Sequence, residues 1–231
     1  MPAGSIRARV RAEMIGEIKA VARGYLETDG ANLSLRAVAR DMGMVSSALY
    51  RYFPSRDDLL TALIVDAYND LGAAVETADA GIATRADLRA RWLAVARAVR
   101  GWALASPAEY ALLFGSPVPG YAAPQDTIAP WARTTTVLVS ILADGHAAGT
   151  LKPPAAEPQR LPKALRADLA AATRQIAPGL PERLLLLGMT SWLELFGAVS
   201  FELFGQLNNV IEARAQFFDQ QMELMCDLMG L

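Results

Sequence analysis

The 231-residue sequence contains a single cysteine, Cys226, and a single histidine, His146. One cysteine excludes an internal disulfide framework and a cysteine-cluster metal site. One histidine excludes a metal site built on several histidines and leaves little for a Ser-His-Asp triad. The motifs G-x-x-x-x-G-K-[ST], H-E-x-x-H and G-x-S-x-G are missing, as is a G-x-G-x-x-G that follows a strand. The sequence therefore predicts no enzyme, no cofactor and no metal.

The chain also lacks a strong net charge. It carries 22 basic and 24 acidic residues, so no overall basic field indicates a nucleic-acid partner. Locally, however, residues 1–60 have a basic excess, and two stretches within them contain no acidic side chain: the start of the chain and residues 43–56. We expect an anionic partner at these stretches. Their arginines are Arg7, Arg9 and Arg11 in the first, and Arg51 and Arg56 in the second.

No signal peptide is predicted, because the N-terminal residues lack an apolar core. Residues 184–205 form the stretch that most resembles a membrane segment, and their length would span a bilayer. Glu194 and Glu202 lie inside it, and carboxylates are costly at the centre of a bilayer. The sequence therefore favours a helix buried between other helices, in a cytoplasmic protein without a membrane partner.

Strand-like alternation is nearly absent, and apolar residues recur with helical spacing. The predicted fold class is all-α, with about nine main helices and a minor one. Start signals stand at Ser34, Ser55, Thr84, Ser106 and Asn209. Residues 115–124 and 152–162 are predicted loops, the second of them the more mobile. The predicted helices are 7–28, 35–42, 46–52, 56–78, 85–104, 107–114, 126–148, 163–176, 181–205 and 209–229.

Residues 34–53, SLRAVARDMGMVSSALYRYF, have the pattern of a helix-turn-helix. Ala39 is small where the second helix crosses the first, Gly43 ends the first helix, and Leu49 completes the spacing of the motif. Short or hydrogen-bonding side chains suited to a major groove are predicted on the exposed face of the second helix: Ser46, Ser47, Tyr50 and Arg51.

The same pattern fits an ordinary corner between two helices, so an all-helical adaptor that binds proteins, without specific DNA binding, is the alternative function. The second helix is free of acidic residues and is followed by FPSRDDLL. This context favours DNA binding.

ALYRYFPSRDDLLTAL, preceded by SLRAVARDMG and by a helix that ends at Gly30, resembles the TetR family of transcriptional repressors over about residues 12–65. WLAVARAVRGWALASPAEYALLF resembles the segment that lines the ligand chamber in many members. WLELFGAVSFELFG resembles a C-terminal subgroup with a Trp, a following Gly and a Glu on its dimer-forming helix.

The resemblance implies a helix-turn-helix DNA-binding domain, residues 1–54, with a three-helix head. Residues 55–231 would form a ligand-binding and dimerisation domain of about six helices. It also implies a homodimer that binds a palindromic operator, usually as a repressor. A small-molecule effector in the chamber would release the DNA by moving the helix that follows the head.

Seven side chains are assigned to the DNA interface by the resemblance. Those at phosphate-contact positions are Tyr50, Tyr52 and Arg56. Those on the face presented to bases or phosphates are Ser46, Ser47 and Arg51. Arg36 falls at the start of the preceding helix, where members often reach the edge of the groove.

Two positions depart from the family pattern. Val45 stands where a capping Ser or Thr is usual, so we expect Ser46 to act as the cap and the helix start to shift by one residue. Phe196 stands where the C-terminal subgroup often has His.

The last two predicted helices, 181–205 and 209–229, form the predicted dimer face, as half of a four-helix bundle. Glu194 and Glu202 are expected to pair with Arg183 or Arg214, or to lie at a wet rim. Candidates for an apolar ligand chamber, each also explicable as a core residue, are Trp92, Trp102, Tyr110, Phe114, Trp131, Thr135, Trp192 and Phe196. The predicted ligand is uncharged or weakly polar.

Overall fold

The computed structural model describes residues 3–154 and 161–231. No strand occurs in these ranges, so the predicted all-α fold is confirmed. The predicted loop 152–162 falls partly on residues 155–160, which lie outside the described residues. The helices are α1 (Ala3–Asp29), α2 (Leu35–Asp41), α3 (Ser46–Leu49), α4 (Arg56–Ala80), α5 (Leu88–Ala105), α6 (Pro107–Phe114), α7 (Ile128–Ala148), α8 (Lys163–Ile176), α9 (Glu182–Leu203) and α10 (Arg214–Met229), with a 3₁₀ turn (Gln125–Thr127) before α7.

Side chains cap α2 and α4 as the sequence predicts. The Ser34 hydroxyl oxygen accepts a hydrogen bond from the backbone N–H of Ala37 at 3.4 Å. Ser55 and Asp58 bond to each other at the start of α4. The Ser55 Oγ accepts from the Asp58 N–H at 3.1 Å, and its hydroxyl donates to the Asp58 carboxylate at 2.7 Å. These contacts satisfy backbone groups that a helix end leaves free.

Several predicted side-chain caps are wrong. Ser106 is the N-cap of α6, but its side chain makes no capping hydrogen bond. α3 begins at Ser46 with Val45 as its N-cap and no side-chain cap, so Ser46 does not take over that position. At α5, Asp87 rather than Thr84 accepts the bond, from the Ala90 N–H at 2.9 Å. α5 therefore begins three residues later than predicted.

The last helix is shorter than predicted because its proposed cap is wrong. Gly205 and Asn209 have positive φ angles of 81° and 61°, and a left-handed backbone does not start a right-handed helix. The chain turns through residues 204–213, and α10 begins at Arg214.

The described residues divide into two compact units. The first comprises the residues up to Asp70 together with Ser106–Trp131, and the second comprises Leu71–Ala105 and Ala132–Leu231. The division passes through α4 and again through α7. A domain boundary at residue 54 stays a prediction.

The core of the first unit holds the helix-turn-helix together. Val38, Ala39 and Leu49 are fully buried in one cluster with Ile18 of α1. Gly43 has a φ of +65°, which favours glycine, and the next backbone N–H donates to the carbonyl of Ala39 at 2.8 Å. The predicted roles of the small residue and the glycine are therefore confirmed.

In the second unit, α9 packs against α8, α10 and α5, and α10 packs against α5. Arginines of α5 bind carboxylates of the two last helices across these contacts. The pairs are Arg89 with Glu223 and Asp227, Arg97 with Asp219, and Arg100 with Glu202.

The Arg100–Glu202 pair corrects a prediction. Both Glu202 oxygens accept from the Arg100 guanidinium, at 2.6 and 2.7 Å, and Glu202 is buried. Glu194 accepts instead from the side-chain amide of Gln221 at 2.8 Å. The expected pairing of these glutamates with Arg183 or Arg214 is wrong.

By length and composition alone, α9 could cross a membrane, and 39% of its most apolar window is buried. A core helix of a soluble protein passes the same test. One side of α9, which includes Leu195 and Val199, is buried within the second unit. This agrees with the prediction of a helix packed between other helices.

Candidate nucleic-acid interface

The second helix of the helix-turn-helix, α3, spans one turn and is held by one buried side chain, Leu49. Backbone hydrogen bonds continue after the end of α3, where the Phe53 N–H donates to the Leu49 carbonyl at 3.1 Å. Ser47, Tyr50 and Arg51 are exposed. The buried leucine thus fixes the helix while the predicted DNA-reading face is left open to a partner.

A groove of about 540 Å³ brings three of the predicted contact residues together: Arg36, Tyr50 and Arg56. The hydroxyl-bearing residues Ser34 and Ser55 also line it. Among the described residues of the lining, none is acidic. Arginine guanidinium groups and hydroxyls are the donors that bind phosphate oxygens in protein–DNA complexes.

Arg56 is already held within the fold. Its guanidinium donates to the carbonyl of Ala31 and lies 3.7 Å from the Asp57 carboxylate. Arg36 and Ser46 differ in exposure, since Arg36 is exposed and Ser46 is half-buried. The seven predicted residues therefore lie on α3 or close to it in the chain, and they differ in how much of each side chain is exposed to a partner.

Tyr52 contacts Arg11 of α1, which the sequence did not predict. The Arg11 guanidinium lies 5.0 Å from the centre of the Tyr52 ring. Its Nη2 donates to the carbonyl oxygen of Arg51 at 3.3 Å. α1 therefore reaches the end of the helix-turn-helix, and the acid-free start of the chain was the only signal for it.

Two family models match the chain. The model described as "Bacterial regulatory proteins, tetR family" matches residues 18–63. The model described as "Tetracyclin repressor-like, C-terminal domain" matches residues 92–225, which is more than half of the chain. The protein is a member of the TetR family. The resemblance predicted from the helix-turn-helix sequence is thereby confirmed, and the protein is a transcriptional regulator with a DNA-binding domain.

Relatives of this TetR family member include two mycobacterial proteins. The HTH-type transcriptional regulator Rv1816 of Mycobacterium tuberculosis (strain ATCC 25618 / H37Rv) is 41% identical over 210 residues, which are 88% of this chain and 86% of that protein. The same values hold for the HTH-type transcriptional regulator Mb1846 of Mycobacterium bovis.

Solved structures share the fold. The crystal structure of the regulatory protein SCO4313 has a TM-score of 0.75 and 34% identity, and the match covers 97% of this chain and 98% of that one. A bacterial regulatory protein in the tetR family from Rhodococcus RHA1 has a TM-score of 0.62 at 18% identity, covering 94% of this chain and 96% of that one. The second likeness shows the fold alone.

The first unit of this TetR family member also contains a cavity of about 630 Å³. Ile64 and Tyr68 of α4 line one part of it, and residues 112–113, residues 115–118 and Tyr121 line another. Burial raises the pKa of Tyr68 above its ordinary value, and the nearby Tyr121 adds to this. Of the described lining residues none carries a charge. The size is in the range of small-molecule sites.

The eight predicted chamber residues are divided between the units. In the first unit, Trp131 lines the cavity, and the ring of Phe114 contacts Tyr68 edge-on and Tyr110 at a centroid distance of 4.9 Å. The other five belong to the second unit: Trp92, Trp102, Thr135, Trp192 and Phe196. Trp92 is buried, and the rings of Trp192 and Phe196 contact each other in a tilted arrangement, with 5.6 Å between their centres.

Sequence reasoning missed Tyr68 and Tyr121, which lie far apart in the chain. Tyr121 lies within the predicted Pro/Gly loop, and its hydroxyl is 2.9 Å from that of Thr61 on α4. Leu112, Val118 and Tyr121 line the cavity and also pack against the core of the helix-turn-helix. One set of side chains is thus shared by the cavity and the DNA-binding head.

Proposed function

We propose that this TetR family member is a homodimeric, non-enzymatic cytoplasmic repressor that binds a palindromic operator and is released by a small, uncharged, mostly apolar ligand. Residues 1–54 serve as its DNA-binding domain and residues 55–231 as its ligand-binding and dimerisation domain. The observation that carries the proposal is the exposed, acid-free face of α3, fixed from behind by the buried Leu49.

The proposed DNA contacts are of two kinds. Tyr50, Tyr52 and Arg56 contact phosphates, while Ser46, Ser47 and Arg51 face the bases or nearby phosphates, with Arg36 at the groove edge. Phosphate contacts fix the position of the head, and base contacts select the sequence. Two heads related by a two-fold axis would read half-sites about 34–36 Å apart, or a multiple of this distance.

The test is selection of bound duplexes from a random DNA library by the purified protein at near-physiological salt. A two-fold symmetric consensus is the expected result. Binding without enrichment that disappears as salt rises would contradict the proposal and favour the all-helical adaptor.

Replacing Arg51 by Ala should weaken binding to the selected duplex by ~1–3 kcal/mol if Arg51 reads a base. The loss should be smaller on a duplex changed at the base pair that Arg51 contacts. Fluorescence anisotropy with both duplexes measures this difference. The matched control is Arg40→Ala, which removes another exposed arginine of the same head. An equal loss on every duplex would make Arg51 a phosphate contact instead.

The support for dimerisation is an exposed apolar stripe along α9 and its C-cap. Met189 and Leu193 of α9 and the C-cap residue Phe204 recur at helical spacing and are exposed. Gly197 lies between them, and the space beside its Cα is open, since a Cβ at this position would have no neighbouring atom within 4 Å. The length of the stripe and its small central residue suit close packing against a second copy of the helix.

Leu193→Glu should convert the protein to a monomer, because it places a charge in the centre of this stripe. Sedimentation equilibrium measures the mass. Ile176→Glu is the control, since Ile176 is also an exposed apolar residue of the second unit, at 41% against 61% for Leu193. A dimer that survives Leu193→Glu would place the interface elsewhere.

The cavity of the first unit supports the proposed ligand class. Its described lining combines apolar side chains with the hydroxyls of Tyr68, Tyr121 and Thr127. Such a lining suits a neutral molecule that forms a few hydrogen bonds, since a buried charge without a partner is costly. Releasing compounds found with the selected duplex should therefore be uncharged, and a highly charged one would contradict this part of the proposal.

The side chains shared by the cavity and the head support release by the ligand. A molecule that displaces Leu112, Val118 or Tyr121 also disturbs their packing against the helix-turn-helix core. The ligand then lowers DNA affinity by its preference for the DNA-free conformation.

A further inference from the structure

The first turns of α1 form an exposed basic surface outside the DNA contacts described above. α1 begins at Ala3, and residues 6–13 are exposed. Arg7, Arg9 and Arg11 lie in this segment, and the first acidic residue of the chain is Glu13.

Two of these arginines share the face of α1 that packs on the helix-turn-helix. Farther along the helix, this face is formed by Ile18 and Ala22, which are fully buried. At about 100° per residue, Arg11 and Arg7 continue the same face toward the helix start. The apolar stripe thus becomes basic where the head no longer covers it.

Arg9 lies on the opposite side of α1 by the same geometry. It is 3.6 Å from Glu13, one turn along, and both side chains are largely exposed. Among the described residues, no carboxylate pairs with Arg7 or Arg11. The helix therefore offers two unneutralised arginines on one side and a neutralised one on the other.

Arg11 connects this face to the DNA-reading segment. Its guanidinium stacks on Tyr52 and donates to the carbonyl of Arg51, and both of these residues are proposed DNA contacts. Arg7 lies one turn, about 6 Å, farther along the axis of α1. Arg11 thus contacts the backbone of the DNA-reading segment, and Arg7 extends the basic face of α1 by one turn.

We propose that Arg7 and Arg11 form a second DNA-contact surface, which binds backbone phosphates beside the stretch read by α3. This rests on the proposed DNA binding by the head. Each contact releases condensed counterions and therefore adds to the salt dependence of binding without adding sequence preference. The partner is double-stranded DNA, because the arginines adjoin the segment that reads it.

The experiment measures binding of the full chain to a labelled duplex of mixed sequence over a series of salt concentrations. A mixed sequence is sufficient because phosphate contacts are independent of sequence. The variants are Arg7→Ala, Arg7→Lys and Arg9→Ala. Arg7 is the diagnostic position, since Arg11→Ala would also remove the stacking on Tyr52.

For Arg7→Ala, the slope of log K against log salt should become shallower by about 0.9 for each phosphate that the protein no longer neutralises. Binding at low salt should weaken by ~3–10-fold. Arg7→Lys keeps the charge and should retain the wild-type slope. Arg9→Ala should also retain it, because Arg9 lies on the opposite face.

An unchanged slope for Arg7→Ala overturns the inference, and so does an equal decrease for Arg9→Ala, which would show a diffuse charge effect. A loss of affinity for Arg7→Lys as large as that for Arg7→Ala also overturns it. The proposed function fails separately, if the wild-type protein gives no symmetric consensus from the library.

Discussion

Replacing Asp79 by Ala should lower the free energy of unfolding by about 3–5 kcal/mol, the range for removing one member of a buried ion pair. The other member is Arg91, whose side chain is 1% exposed. The Arg91 guanidinium donates from Nε to Asp79 Oδ1 at 2.8 Å and from Nη2 to Oδ2 at 3.3 Å. Thermal or urea unfolding of the wild-type and variant proteins measures the difference.

A second carboxylate on the same arginine provides the control. Asp144 accepts from Arg91 Nη1 at 2.6 Å, but its side chain is 58% exposed. Asp144→Ala should therefore cost at most about 1 kcal/mol, as for an exposed ion pair. Equal losses of stability for both variants would contradict the decisive role of burial.

The Asp79 contribution should depend on pH. Burial alone would raise the pKa of Asp79, but the hydrogen bonds from Arg91 and Arg85 outweigh it and hold the pKa below its ordinary value. A depressed pKa stabilises the folded state above the unfolded pKa, and the stabilisation is lost as pH falls through the folded pKa. The difference in stability between wild-type and Asp79→Ala should thus decrease at acidic pH.

Leu49→Ala should destabilise the first unit by about 2–5 kcal/mol, the range for truncating a buried leucine. The loss of binding free energy for DNA should be larger than the loss of unfolding free energy, because Leu49 is the buried residue of α3. Without the leucine side chain, the orientation of this helix in the head is no longer fixed. Affinity for the duplex selected from the random library and urea unfolding, measured on the same sample, test both parts.

Val45→Ala is the matched control for this variant. Val45 is the N-cap of the same helix and is largely exposed, so its replacement should change stability by no more than about 0.5 kcal/mol. Equal free energies of unfolding for Leu49→Ala and Val45→Ala would show that the packing of Leu49 on the core does not stabilise α3.

The helices could be predicted because their signals are local. Ser34 and Ser55 cap the helices that follow them, and Gly43 ends α2, each within a few residues of its partner. The same locality made the helix-turn-helix readable. Asn209 failed as a cap because a local pattern does not show that its backbone is left-handed.

Side-chain partners far apart in sequence were not predictable. Arg100 and Glu202 are separated by 102 positions, and nothing near Glu202 indicates which arginine will meet it. The cavity poses the same difficulty, since Tyr68 and Tyr121 come from different segments. The predicted list of aromatic residues was based on local composition, which does not distinguish a core residue from a lining residue.

The first unit is assembled from two separate stretches of chain, and this affects the order in which it can be completed during synthesis. A ribosome finishes the helix-turn-helix long before it reaches Leu112, Val118 and Tyr121, which pack on the same core. Domains that emerge first usually fold first. The core of the helix-turn-helix is completed only by a later segment of the chain. Part of this apolar core therefore stays exposed to water until residue 121 has left the exit tunnel.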